Sequence, residues 1–268
     1  MDAFFTADLM QYILAGAGVG LLVGLTGVGG GSLMTPLLIL FGIDYKVAIG
    51  TDLLYAAITK MGGVHAHSKQ GTVRWRIVLW LGAGSIPASL VTAYFLSHIE
   101  KSGYDYSGVL TSALGFMLII TALVIFFRKR LQKQSHDSSR TQEKSRVQKH
   151  LKAITIFTGL LLGICVTLSS VGAGAFGAAV LMLLYPRLSA INIVGTDLAH
   201  AVPLTLIAGM GHLLLLGNVD FGLLVALLIG SIPAVQLGTK IGARMPNHIL
   251  QPILATILLG LGFKFLLF

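Results

Sequence analysis

Apolar positions in this chain run in long blocks rather than in two-residue alternation or in one-faced stripes. The blocks fall at about 8–43, 47–66, 77–97, 107–127, 153–185, 189–216, 221–243 and 248–268. A helix needs about 20 apolar residues to cross the hydrocarbon core of a bilayer. Strands of a membrane barrel would instead alternate polar and apolar over about 10 residues. The blocks therefore predict an all-α polytopic membrane protein. The first and fifth are too long for one simple span, and both are interrupted. The first breaks at Thr26-Gly27-Val28-Gly29-Gly30-Gly31-Ser32 and the fifth at Ser169-Ser170-Val171-Gly172-Ala173-Gly174-Ala175. Pro87 and Pro233 lie inside later blocks and predict a kink in each.

The blocks repeat. Gly50-Thr51-Asp52-Leu53 recurs as Gly195-Thr196-Asp197-Leu198, and Gly84-Ser85-Ile86-Pro87-Ala88 as Gly230-Ser231-Ile232-Pro233-Ala234. Val28-Gly29-Gly30-Gly31 matches Val171-Gly172-Ala173-Gly174 more loosely. The two interruptions align. Broken apolar segments at corresponding places in two halves are the best sequence pointer to a transport site. The expected organisation is a first membrane repeat over 1–127, a basic cytoplasmic linker over 128–152 and a second membrane repeat over 153–268. Each repeat has a glycine-broken first segment, re-entrant or double-crossing, followed by three transmembrane helices.

Composition agrees with a bilayer. The chain is 55% hydrophobic and only 11% charged, with a mean hydropathy of +0.85, where soluble domains carry about 25% charged residues. Glycine, at 33 residues, allows close helix packing and local unwinding. One cysteine, Cys165, excludes an intrachain disulfide. The N-terminus has no basic stretch ahead of its apolar block and does not read as a cleaved signal peptide.

The net charge of +9 is concentrated between Arg128 and Lys152, which hold nine lysines and arginines against Asp137 and Glu143. That stretch has no aromatic residue and lies between membrane segments, so it reads as a cytoplasmic linker near lipid headgroups, not a nucleic-acid site. With the linker inside, a hairpin at each break turns the second repeat upside down relative to the first. Lys69, Arg74, Arg76, Arg187, Lys240 and Arg244 then lie inside. Glu100, Lys101, Asp105, Asp220 and both termini lie outside. Parallel halves would put Arg187 and Arg244 outside. The expectation is an inverted repeat, and a reporter fused after Phe268 should appear on the outer face.

Candidate chemistry follows from the breaks. Unwound backbone at membrane depth must be buried in protein or line a wet cavity. A helix that restarts there points free N–H groups and a partial positive charge at the cavity, which favours an anion. The candidate substrate-binding residues are Thr26, Gly29, Gly30, Gly31 and Ser32 in the first break and Ser169, Ser170, Gly172 and Gly174 in the second. Asp52 and Asp197 are costly in a membrane. They read either as helix N-caps or as proton sites. His200, three residues after Asp197, could share its proton, and Tyr55 takes the corresponding place in the first half. Lys60 could attract an anion or snorkel to the interface. Asp52, Lys60, Asp197 and His200 are the candidate coupling or gating residues. Lys240 and Arg244 read as interfacial anchors. His65 and His67 lack the partners of a metal site. No cofactor or metal is called for.

The glycine run Gly24-Leu25-Thr26-Gly27-Val28-Gly29-Gly30-Gly31, the Gly50-Thr51-Asp52 motif and their echoes at Ser170–Gly174 and Gly195–Asp197 resemble the sulfite exporter TauE/SafE family over almost the whole chain outside the linker. The resemblance implies a multi-spanning transporter of small sulfur oxyanions or sulfonates in a bacterial-type cell membrane. The halves differ, since Gly27, Gly30 and Ser32 correspond to Ser170, Ala173 and Ala175, so two half-sites would bind unequally. The expected function is alternating-access transport of a small oxyanion, sulfite or a small organosulfonate. An anion channel of the same architecture is the alternative. An intramembrane enzyme using Ser169 or Ser170 with His200 ranks lowest, because the usual nucleophile context is absent.

Overall fold

The computed structural model describes residues 2–26, 33–137, 145–242 and 247–267. These residues form ten α-helices: α1 (Asp2–Thr26), α2 (Met34–Leu40), α3 (Tyr45–Lys69), α4 (Trp75–Lys101), α5 (Ser107–Asp137), α6 (Ser145–Ser169), α7 (Ala175–Leu184), α8 (Ala190–Gly211), α9 (Phe221–Gly242) and α10 (Asn247–Leu267). Among the described residues, five stretches are long and apolar enough to span a bilayer: Trp75–Lys101, Ser107–Phe127, His150–Ser169, Ala190–Leu216 and Phe221–Ile241. Shorter apolar helices lie at Leu9–Leu25, Ala175–Leu184 and Gln251–Leu267. The chain is a polytopic helical membrane protein. Residues such as Leu79, Val91, Phe95 and Leu214 are exposed on its outside, as a lipid-facing surface requires.

Local chemistry sets the helix starts. Asp44 caps α3 by accepting from the Lys46 amide at 2.8 Å, and Ser189 caps α8 through the Asn192 amide. Asp105 accepts from the amide and hydroxyl of Ser107 at the start of α5. Those bonds, the hydroxyl's first, hold the exposed Asp105 carboxyl below the usual carboxylate range. Pro36 falls in the first turn of α2, where a missing N–H costs nothing. Pro87 and Pro233 sit inside α4 and α9, which continue through them. α8 ends in a π-helical turn, His212–Leu216, closed by Gly217 at φ 69°. Helices α5 and α6 extend into the basic stretch from both sides, to Asp137 and from Ser145.

The second break is in place. α6 stops at Ser169, the backbone passes through Ser170 at φ 57°, Gly172 at φ 119° and Gly174 at φ 151°, and α7 begins at Ala175. A serine in the left-handed region is uncommon and marks a constrained turn. The first break, Gly27–Ser32, lies outside the described residues; α1 ends at Thr26 and α2 begins at Met34.

Packing contacts come in matched pairs. α1 lies against α9 and α6 against α4. A Cβ at Gly16 would strike the Leu227 backbone, and one at the corresponding Gly159 the Leu81 backbone. Gly20 meets Ser231 as Gly163 meets Ser85. Small residues let these helices touch main chain to main chain, the usual device where lipid removes any hydrophobic drive between helices. In every such pair an element of one half packs on an element of the other. The central pair is α3 with α8, and α5 packs on α10.

Candidate functional site

The repeated Gly-Thr-Asp motif can be assigned position by position. Gly50 and Gly195 lie well inside their helices, where each admits a neighbour that a side chain would exclude: Asn218 and His212 at Gly50, His67 and Thr72 at Gly195. The threonines reach the other half. Thr51 Oγ1 accepts from the Asp220 amide at 3.1 Å, and Thr196 Oγ1 from the Arg74 amide at 3.0 Å. Both bonds fix the chain where the next helix, α9 or α4, starts.

The aspartates do not cap their own helices, contrary to one sequence expectation. Those caps are Asp44 and Ser189, several residues earlier. Instead Asp52 reaches the start of α2. Its Oδ2 accepts from the Thr35 amide at 3.2 Å and from the Thr35 hydroxyl. Asp197 lies against the first turn of α7, so close that a Cβ at Gly177 would strike its Oδ1. Both carboxyls are buried, at 0% and 3% exposure. Asp52 Oδ1 and Asp197 Oδ1 have no hydrogen-bond partner among the described residues. Such orphaned buried oxygens are rare and call for an explanation.

Lys60 faces both carboxyls. It is 6% exposed, its charge acts on Asp52 and Asp197, and its Nζ donates to the Ala173 carbonyl at 2.8 Å, inside the second break. It is therefore buried and does not snorkel. No ion pair within 4.0 Å ties it to either carboxylate among the described residues; the one short pair there is Lys46–Glu100 at 3.0 Å. Ser170 neighbours Asp52, but its hydroxyl has no hydrogen-bond partner among the described residues. The start of α2 and the second break thus meet around Asp52.

The remaining candidates separate. Ser169 is engaged within the break: its hydroxyl donates to the Cys165 carbonyl at 2.7 Å and accepts from the Val171 amide at 3.2 Å. Gly172 and Gly174 shape the turn through their positive φ. His200 pairs through Nε2 with Ser85 Oγ at 2.8 Å rather than with Asp197. Its counterpart Tyr55 bonds Ser231 at 2.6 Å. Ser85 and Ser231 occupy equivalent places in the Gly-Ser-Ile-Pro-Ala repeat, so each half again completes a contact in the other. His67 bonds Thr72 through Nδ1, and no group of three or more metal-ligating side chains occurs among the described residues. Gly29, Gly30, Gly31 and Ser32 lie outside the described residues. Thr26 is the last residue of α1.

Thr35, Gly177, Ala173 and the serine pair Ser85 and Ser231 belong to this site, and sequence reasoning did not select them. The serines were visible as repeat markers. A polar residue directly after the first break was the only available signal for Thr35.

Comparison with known proteins gives a consistent result. The sequence profile described as "Sulfite exporter TauE/SafE" matches residues 12–265. A Bacillus subtilis protein described as "Probable membrane transporter protein YjnA" is 39% identical over 255 residues, which cover 95% of this chain and 98% of that one. A Methanocaldococcus jannaschii protein, "Probable membrane transporter protein MJ0441", is 28% identical over 281 residues, covering 98% and 97%. No solved structure gives a significant match.

Proposed function

The chain belongs to the sulfite exporter TauE/SafE family and is a multi-pass membrane transporter, and on that premise we propose that it carries a small oxyanion, sulfite or a small organosulfonate, by alternating access. The anion sits where the breaks of two inverted repeats meet, held by main-chain amides and hydroxyls around Ser170–Gly174 and by the matched first break. The protein lies in the cell membrane with the basic stretch 128–152 inside and both termini outside.

One observation carries the reading. Asp52, Asp197 and Lys60 converge, buried, on the starts of α2 and α7. Helix starts and a lysine attract an anion; two carboxylates repel one. At 4 Å and an effective dielectric constant near 20, each repulsion is about 4 kcal/mol. The anion therefore binds when the carboxyls are protonated or turned away, and a proton accompanies it. Energy then comes from a proton or substrate gradient.

The test is uptake into proteoliposomes across a panel of anions, with and without a pH gradient, together with Gly174→Val. Gly174 has φ 151°, a conformation that valine resists, so the variant should insert but lose binding. Counter-flow exchange of labelled sulfite supports a carrier, whereas non-saturating flux without exchange indicates a channel. Failure to bind or carry any sulfur oxyanion removes the substrate assignment, and unimpaired binding in Gly174→Val removes the second break from the site.

A further inference from the structure

The matched contacts between the halves hold near the centre of the molecule and fail at one end. There, a cleft of about 620 Å³ opens between the C-terminal parts of α3 and α9, lined by Ile58, Thr59, Gly63, Val235, Gln236 and Thr239, among others, with Lys240 at its edge. The repeat equates this helix pair with α8 and α4, in the register set by Gly50 with Gly195 and by Gly84 with Gly230. In that register Thr59 and Gly63 correspond to Leu204 and Ala208, and Val235 and Thr239 to Ser89 and Ala93. The four counterparts are fully buried, at 0% exposure. The four cleft residues are half-buried or exposed. One helix pair is closed and its equivalent is open.

We infer that the α3–α9 cleft is the open access route to the buried Asp52–Lys60–Asp197 cluster, that the α4–α8 contact is the closed gate of the opposite face, and that the two exchange roles during transport. The inference rests on the alternating-access reading above.

Three features support it. The closed gate packs tightly at its end: a Cβ at Gly211 would lie 2.8 Å from Ala93 Cβ. A polar latch holds the same face. Lys46 pairs with Glu100, lies 4.3 Å above the Tyr106 ring, and Tyr106 OH bonds both Glu100 and Asn218. The open cleft has small side chains where closure demands them. Gly63 equates with Ala208, and nothing lies within 4 Å of a Cβ at Gly62. α9 is locked main chain to main chain on α1 through Gly16, Gly20 and Gly24, so the two would swing toward α3 as one body. Lys240 and Gln236 equate with Tyr94 and Leu90, both exposed in the closed pair. Closure therefore leaves the Lys240 ammonium in water at the mouth, where it can attract anions in either state.

The experiment uses the full chain in proteoliposomes with Cys165→Ser, carrying Thr239→Cys or Ala93→Cys, and a membrane-impermeant maleimide. Thr239→Cys should label at least about tenfold faster than Ala93→Cys, since Thr239 is exposed and Ala93 is fully packed. Adding Glu100→Gln loosens the latch and should raise labelling of Ala93→Cys about two- to fivefold, the range of one partly exposed ion pair, with Thr239→Cys labelling unchanged or slower. Thr239→Trp, which faces open space now but would fill the closed position, should abolish sulfite counter-flow while leaving Ala93→Cys unlabelled. Equal labelling of the two cysteines, or normal exchange by Thr239→Trp, overturns the inference. Absence of any oxyanion exchange in the parent protein would instead defeat the substrate reading, and the labelling ratio would still decide the gate.

Discussion

Replacing Lys60 with methionine tests the charge balance of the site directly. Methionine keeps the length and removes the ammonium. In the parent protein that ammonium is 6% exposed, donates to the Ala173 carbonyl at 2.8 Å and faces two buried carboxyls. Removing one partner from a buried charge set costs about 3–5 kcal/mol, because the other charge is left uncompensated. The orphaned carbonyl is part of that loss, at about 1–3 kcal/mol. For a chain of this size 1 kcal/mol moves a melting midpoint by about 2–4 °C. Lys60→Met should therefore melt about 10 °C below the parent, read by size-exclusion fluorescence after heating in detergent. The companion variant is decisive. Lys60→Met with Asp52→Asn removes the surplus negative charge and should recover at least half of the loss, the coupling expected of neighbours. Acidification should do the same for the single variant by neutralising the carboxyls. A single variant that melts with the parent, or a pair whose losses simply add, would show that Lys60 does not compensate the aspartates.

Two further outcomes follow from the helix contacts. Gly159→Leu and Gly16→Leu should each be severely destabilising, by about 3 kcal/mol or more, because each glycine abuts the backbone of a neighbouring helix; folded protein at parental yield in detergent would contradict this. Asp105, whose carboxyl the Ser107 bonds hold below its usual range, stabilises the start of α5 at neutral pH. A depressed carboxyl adds stability above its unfolded value and loses it as pH falls through the folded one. Hydrogen exchange at Ser107–Leu110 should therefore quicken, once corrected for intrinsic rates, only below the ordinary carboxylate range. Asp105→Asn should already show faster exchange at neutral pH.

Much of the architecture was legible because the bilayer imposes one rule on the chain. Blocks long enough to cross it must be helices, and the eight apolar blocks correspond to the described helices, with α1 and α2 sharing the first block and α6 and α7 the fifth. The second break fell where Gly172 and Gly174 announced it. The residues around it were less legible. Gly-Thr-Asp before a leucine looks like a helix start, yet Asp44 and Ser189 had already begun those helices. Lys60 sits past the middle of α3, and its spacing gave no indication that it would face Ala173. The same limit hid Gly177, which matters only because Asp197 lies against it. His200 stood three residues from Asp197, the spacing of helix neighbours, but Ser85 on α4 offered a better partner. Apart from the caps, each miss is a contact between segments distant in sequence.

The reciprocal bonding of Tyr55 to Ser231 and of His200 to Ser85 makes the halves depend on each other. A polypeptide ending before the basic stretch would display Tyr55 and Ser85 with nothing to satisfy them, and its glycine-lined surfaces would lack the helices that cover them. Such a fragment completes itself by meeting a second copy of its own kind. A chain that holds both copies has that surface built in: each copy supplies what the other lacks, with a phenol in one where the other has an imidazole.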